Sequence, residues 1–227
     1  MSEAAKVVSV EAIPLKIPFT HGGPSVSWAG SDWQALEIVL VRLETDSGLV
    51  GWGEAFSYNC RRAVVAMIED SAANVLADKL VSERAQIMHE LQVGMHLWGR
   101  YGISMFAISG IDIALWDLTA KAADQSLGQM LGGNKKILPA YASLLKYRDP
   151  EVVAEQTADA IANGYGLIKL HESTVEPVKA ARDVAGSEVP IMLDVNCAWS
   201  MSEARQIMQQ LVDCNLYLSL IHISEPT

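Results

Sequence analysis

The 227-residue sequence predicts an α+β N-terminal part followed by an α/β part built on a parallel sheet. Apolar runs on either side of Asp46-Ser47-Gly48 have the pattern of a β-hairpin. Long segments with apolar residues at three- and four-residue spacing come next, the signature of packed helices. From Ile137 onward short apolar runs alternate with amphipathic stretches and no hairpin turn intervenes. That rhythm belongs to repeated strand–helix units.

Taken in order, Val7 to Phe19 alternates as a strand, and Pro14 and Pro18 mark it as an edge or strand end. Residues 20–30 form a Gly-rich loop containing His21, and strands Ala35 to Glu44 and Leu49 to Glu54 enclose the turn. Helical spacing covers Arg61 to Leu80, Ser82 to Leu97 with Ser82 as N-cap, and Ser104 to Ala123. Asp117 and Lys121 lie four apart on the last of these and pair on one face. Leu131-Gly132-Gly133-Asn134 is an abrupt stop, which places a domain boundary after residue 134. Ile137 to Leu144 then reads as a strand, and Asp149-Pro150 caps and starts a helix closed by Asn163-Gly164. Strand Leu167 to Leu170, helix Val175 to Val184, strand Val189 to Val195 and helix Ser202 to Val212 follow, and Asn215-Leu216-Tyr217 opens a fourth strand. The second domain thus runs over residues 135–217.

Half the residues are hydrophobic and 19% are charged, as in a globular protein with a sizeable core. A net charge of −10 argues against a nucleic-acid partner, which would require clustered Lys and Arg. Cys60, Cys197 and Cys214 are scattered and read as reduced thiols of a cytoplasmic protein. The N-terminus lacks an apolar signal core, and the apolar stretch Ile103 to Leu118 is shorter than a bilayer span and carries Asp112 and Asp117, so no membrane role is expected.

The chemistry-bearing residues cluster at two strand ends. Lys169 and His171 close one apolar run, and Asp194 and Asn196 close the next, one strand–helix unit later. In parallel α/β folds the C-terminal strand edge carries the site. Each residue also has a plainer reading. Lys169 could be a solvated strand-end lysine and Asp194 the cap of a turn, while Asn196 reads better as structural than catalytic. Trp52, Trp116 and Trp199 read as packing residues, and Asp112 and Asp117 as helix carboxylates that hold their domain together.

The sequence resembles the enolase superfamily in its mandelate racemase and muconate lactonising enzyme branch. The similarity rests on Gly51-Trp52-Gly53-Glu54-Ala55, on Ala107 to Leu118, on Leu127-Gly128-Gln129-Met130-Leu131-Gly132-Gly133, on Lys169-x-His171 and on Leu193-Asp194-Val195-Asn196. The resemblance implies an α+β capping domain followed by a (β/α)8 TIM-type barrel, present here for about three and a half of its eight units. It implies Mg2+-dependent removal of the proton α to a substrate carboxylate, through a metal-stabilised enediolate. It also implies a Lys or His base paired with the Mg2+ that stabilises the enediolate.

On that resemblance Asp194 is a metal ligand, Lys169 neutralises the substrate carboxylate, and His171 stands where many members have the lysine base. Asn196, His21 and Tyr58 are candidate substrate contacts, the last two on loops that correspond to those covering the substrate. The expected parent is a homo-oligomeric acid-sugar or hydroxy-acid dehydratase acting on a small carboxylate. Alternatives are a racemase, a cycloisomerase or a non-catalytic fragment.

The resemblance also predicts a second metal ligand near position 220, where the sequence has Leu220. Leu218 to Thr227 instead matches the translation of a transposon-type sequencing adapter, which predicts a non-native tail over residues 218–227. A barrel stopped there leaves strand edges uncovered, so the chain as written is expected to aggregate and to be inactive.

Overall fold

The structure is a computed structural model that describes residues 5–24, 27–28, 31–134 and 137–220. The chain forms two compact units, Met1–Phe19 with Ala35–Lys136 and Thr20–Gln34 with Ile137–Thr227. The strands of the first stretch are β1 (Val7–Pro18), β2 (Ser27–Trp28), β3 (Ser31–Asp32), β4 (Ala35–Thr45) and β5 (Val50–Phe56).

In the first unit β1, β4 and β5 form an antiparallel sheet in that order. The β1 strand lies at its edge, where Pro14 and Pro18 interrupt no central ladder. The β4–β5 connection is the expected hairpin, closed by Gly48 N donating to Thr45 O at 2.9 Å with Gly48 at φ +81°. Val39, Val41 and Leu43 alternate inward from β4 and are fully buried.

The helices depart from three expectations. The helix expected to reach Leu80 consists of α1 (Arg61–Ala66), a π-helical turn over Met67–Ala72 and α2 (Ala73–Leu76). It stops at Leu76 because the chain must turn to pair with β1: Val7 N donates to Lys79 O, and Lys6 bridges Leu80. Ser82 is no N-cap; it lies inside a 3-10 turn over Val81–Glu83, where the Glu83 carboxylate accepts from Leu80 N instead. The following α3 (Arg84–Gly94) ends before Leu97, which is largely exposed.

The central helix, α4 (Ile103–Ala122), is 20 residues long, so it does have the length and apolarity to cross a membrane, contrary to the shorter span read from sequence. Its packing identifies it as a core helix. Ala107, Ile108, Ile111, Ala114, Leu115 and Leu118 are buried in one cluster with Val39, Val41 and Ala55. Close approach to the sheet depends on glycine: a Cβ on Gly53 would lie 1.9 Å from Gly110 O, and one on Gly110 would lie 2.8 Å from Ala55 Cβ. Helix carboxylates tie the layers together as expected. Asp117 accepts from Trp52 N at 2.8 Å and from Lys121 Nζ at 2.7 Å, and Asp112 pairs with Arg84 at 2.9 Å. Arg84 also stacks on Trp116, 3.8 Å from the ring centroid. Trp52 is more exposed than a core tryptophan (40%), so only its backbone joins this network. The unit ends with α5 (Leu127–Met130), capped by Ser126 and Gln129.

The second unit contains the short antiparallel β2–β3 pair and a four-stranded parallel sheet, β6 (Ala142–Ser143), β7 (Ile168–Leu170), β8 (Ile191–Asp194) and β9 (Leu218–Leu220), adjacent in chain order. Between the strands run α6 (Pro150–Ala162), α7 (Val175–Ala185) and α8 (Met201–Gln210). This is the strand–helix succession of a partial barrel. Asp149 caps α6 by accepting from Glu151 N at 2.9 Å, and Gly164 leaves it at φ +88°. The strand expected over Ile137 to Leu144 shrinks to two residues. Ile137 and Leu138 are exposed and Pro139 has no N–H to donate, so Ile137–Tyr141 finds no ladder. Residues 218–220 add backbone hydrogen bonds beside β8, which any sequence can supply. Residues 221–227 lie outside the described residues.

Candidate active site

Alternation along β7 and β8 sorts core from site. Ile168, Leu170, Ile191 and Leu193 point into a buried cluster shared with Val153, Val178 and Ala181. Lys169 and Asp194 therefore project from the opposite face, and His171 extends the same alternation one residue beyond β7. Register places Lys169 beside Met192 and Leu170 beside Leu193, so the two strand tips are level.

The three side chains meet. Lys169 Nζ lies 3.0 Å from Asp194 Oδ2, and His171 Nε2 lies 3.9 Å from the same oxygen. All are largely buried, with side-chain exposures of 16%, 17% and 9% for Lys169, His171 and Asp194. Burial pushes the Asp194 carboxyl up, but bonds from Lys169 and from Asn196 N, with the Lys169 and His171 charges, outweigh it and hold the carboxyl below its ordinary value. Asp194 therefore stays ionised at neutral pH. The Lys169 ammonium also lies 6.0 Å from the centroid of the Tyr141 ring.

His171 Nδ1 contacts Leu144 O at 2.5 Å. A carbonyl can only accept, so Nδ1 carries the hydrogen, and in the neutral ring Nε2 is the lone-pair nitrogen toward Asp194 and Lys169. A general base requires that tautomer.

Asn196 is placed differently from the sequence expectation. It does not close the strand beside Asp194, because β8 ends at Asp194 and both Asn196 (φ +48°) and Cys197 (φ +61°) adopt left-handed backbone. The turn exposes the Asn196 side chain and brings its N–H to Asp194 Oδ1 at 3.1 Å. Asn196 thus supports Asp194 through its backbone. His21 lies in the second unit, with its carbonyl 2.8 Å from Tyr147 Oη. Tyr58 belongs to the first unit, in the turn after β5, where burial first and the Glu37 charge second push its hydroxyl pKa up.

Sequence reasoning passed over Glu172. It is 1% exposed and its carboxylate accepts from Tyr147 N at 2.6 Å and Arg148 N at 3.1 Å. The available signal was an acidic residue two positions past an apolar strand tip.

The donor set can be tested against a divalent cation. An ionised, nearly buried carboxylate is the hard oxygen donor that Mg2+ takes, and Asp194 supplies one. Glu172 is committed to backbone amides, and no group of three or more His, Cys, Asp or Glu gathers among the described residues. The site fits one position of an oxygen shell.

Residues 11–132, more than half of the chain, match the family model of the mandelate racemase / muconate lactonizing enzyme N-terminal domain. The chain belongs to this family. Residues 152–219 match the enolase C-terminal domain-like model, so part of that domain follows the N-terminal one. Among its relatives, an arabinonate dehydratase of Saccharolobus solfataricus is 33% identical over 78% of this chain and 50% of its own length. A 3,6-anhydro-alpha-L-galactonate cycloisomerase of Streptomyces coelicolor is 30% identical over 84% of this chain and 54% of its own. The crystal structure of a racemase from Streptomyces coelicolor with bound magnesium superposes with a TM-score of 0.85 at 25% identity, covering 94% of this chain and 61% of that one. The chain spans about half the length of the curated relatives it matches. Its fold is that of this family, an α+β N-terminal domain followed by part of a TIM-type barrel.

Proposed function

We propose that the protein to which this chain belongs is a Mg2+-dependent enzyme that removes the proton α to the carboxylate of an acid sugar and eliminates water. The supporting observation is the convergence of Lys169 Nζ and His171 Nε2 on one Asp194 oxygen, at 3.0 and 3.9 Å, at the C-terminal ends of adjacent parallel strands. Mg2+ would be held in part by Asp194 and, when bound, supplies Lewis-acid stabilisation of the substrate carboxylate.

The remaining roles fall to the chain itself. Lys169 presents a fixed positive charge to the carboxylate, which lowers the cost of building negative charge next to it. His171 accepts the α-proton at Nε2, since its Nδ1–H is engaged by Leu144 O. The electron pair left by that proton expels the β-hydroxyl, which takes the proton now carried by His171 and leaves as water, and the enol formed tautomerises to a 2-keto-3-deoxy acid. The 33% identity to an arabinonate dehydratase favours this outcome. The likeness to a cycloisomerase and a racemase supports a second reading, in which the same proton is removed and no water is lost.

The full-length protein incubated with arabinonate and Mg2+ in D2O separates these readings. Dehydration gives a carbonyl product, and His171→Asn is expected to lower its rate by about 100-fold or more. α-Deuterium incorporation without a carbonyl would transfer the assignment to the racemase or cycloisomerase class. An unchanged rate in His171→Asn would remove His171 as the base.

A further inference from the structure

Two consecutive residues at the end of β7 grip one segment of chain. His171 holds Leu144 O, and Glu172 holds Tyr147 N and Arg148 N. From that segment the Tyr147 hydroxyl reaches the His21 loop, donating to His21 O at 2.8 Å, and the two rings lie 6.1 Å apart. Gln156 on α6 adds a bond from Nε2 to Gly22 O at 3.2 Å. The loop fits closely against these side chains. A Cβ on Gly23 would lie 2.3 Å from Tyr147 Cδ1, and one on Gly22 would lie 2.5 Å from Gln156 Oε1. All of these residues belong to the second compact unit.

We infer that Glu172 is a positioning residue: by fixing the Leu144–Arg148 segment it holds His171 in a single tautomer and docks the His21 loop through Tyr147. A carboxylate 1% exposed is costly to bury, and its partners here are backbone amides of one short segment, so the position of that segment is what makes its burial tolerable. The Arg148 backbone is held at φ +68°, a conformation a non-glycine residue keeps only where its surroundings enforce it. The inference rests on the reading of His171 as base for its catalytic meaning, but its structural content does not.

The full-length protein to which this chain belongs provides the test, without turnover. Hydrogen exchange of the amides of residues 20–23 reads loop docking, and 15N–1H correlation of the imidazoles reads the His171 tautomer. Glu172→Gln is expected to speed exchange at residues 20–23 about five- to tenfold, the scale of one lost hydrogen bond, and to give His171 a mixture of tautomers. Tyr147→Phe and Gln156→Ala are expected to speed loop exchange alone, leaving the His171 signal and the exchange of α7 unchanged. Glu172→Gln with neither readout altered would overturn the proposal, as would Tyr147→Phe with an unmoved loop. Should Glu172→Gln fail to fold, the Tyr147 and Gln156 variants decide it. A negative result here would leave the roles proposed for Lys169, His171 and Asp194 standing, whereas a failed dehydration assay would leave the clamp standing.

Discussion

Asp194 concentrates the electrostatics of the strand tips. One oxygen faces Lys169 and His171, and the other accepts from Asn196 N. Replacing it with Asn leaves the largely buried Lys169 charge without its partner, which is expected to cost about 3 kcal/mol by urea denaturation. The pH dependence follows from the direction of the Asp194 shift. Its folded pKa lies below the ordinary 3.8, so the unfolded chain takes up the proton first. The contribution of Asp194 is full above that ordinary value and is lost as pH falls through the folded one. Acid titration of stability should be shallower in Asp194→Asn than in the parent over that window; equal slopes would show that the pair does not stabilise the fold. A variant with Lys169 replaced by Met should lose part of that slope, because the Lys169 hydrogen bond is the largest cause holding the carboxyl down, while the bond from Asn196 N remains.

At the scale of elements, the sheet–helix contact of the first unit depends on missing side chains. Gly110→Ala would place a methyl 2.8 Å from Ala55 Cβ and 2.9 Å from Val41 Cγ2, and the expected loss is about 1–3 kcal/mol. Gly53→Ala meets backbone at 1.9 Å, which cannot yield like a side chain, and should prevent folding of this unit. Circular dichroism melts of the two variants distinguish the cases. A contrasting change is Asp149→Ala, which removes only the cap of α6 and should cost about 1 kcal/mol. The Gly51-x-Gly53 and Gly110 positions were visible in the sequence as family-like motifs, but their reason was not. Only the approach of α4 to β5 shows that a Cβ has no room. Likewise Asp149-Pro150 identified a helix start because capping is local chemistry, whereas Ser82 failed as a cap because the preceding chain is drawn to β1.

For the molecule as a whole, the parallel sheet has β6 and β9 at its edges among the described residues. Unpaired parallel edges favour association, so light scattering of the 227-residue chain should report aggregates at micromolar concentration. With Asp194 the one carboxylate that faces Lys169 and His171 among the described residues, Mg2+ should bind this chain no more tightly than about millimolar, as calorimetry would show. Submicromolar binding would show that Asp194 is not the sole protein ligand. We also propose that residues 218–227 derive from adapter sequence. Reading the gene continuously past the codon for Tyr217 checks this, and codons unlike the adapter would end the idea.

The sequence by itself determined the order and type of the main elements, the hairpin, the strand–helix alternation and the placing of Lys169, His171 and Asp194 at strand ends. Those features follow from periodicity and turn chemistry, which act over a few neighbouring residues. Tertiary structure alone decided which polar groups meet. The αL turn after Asp194 moved the Asn196 side chain off the strand face and gave its N–H to the carboxylate. The Leu144 carbonyl selected the His171 tautomer from 27 residues away in sequence. Glu172 became an anchor because burial forces a carboxylate to find donors, and the nearest were backbone amides of a segment no local pattern connects to it.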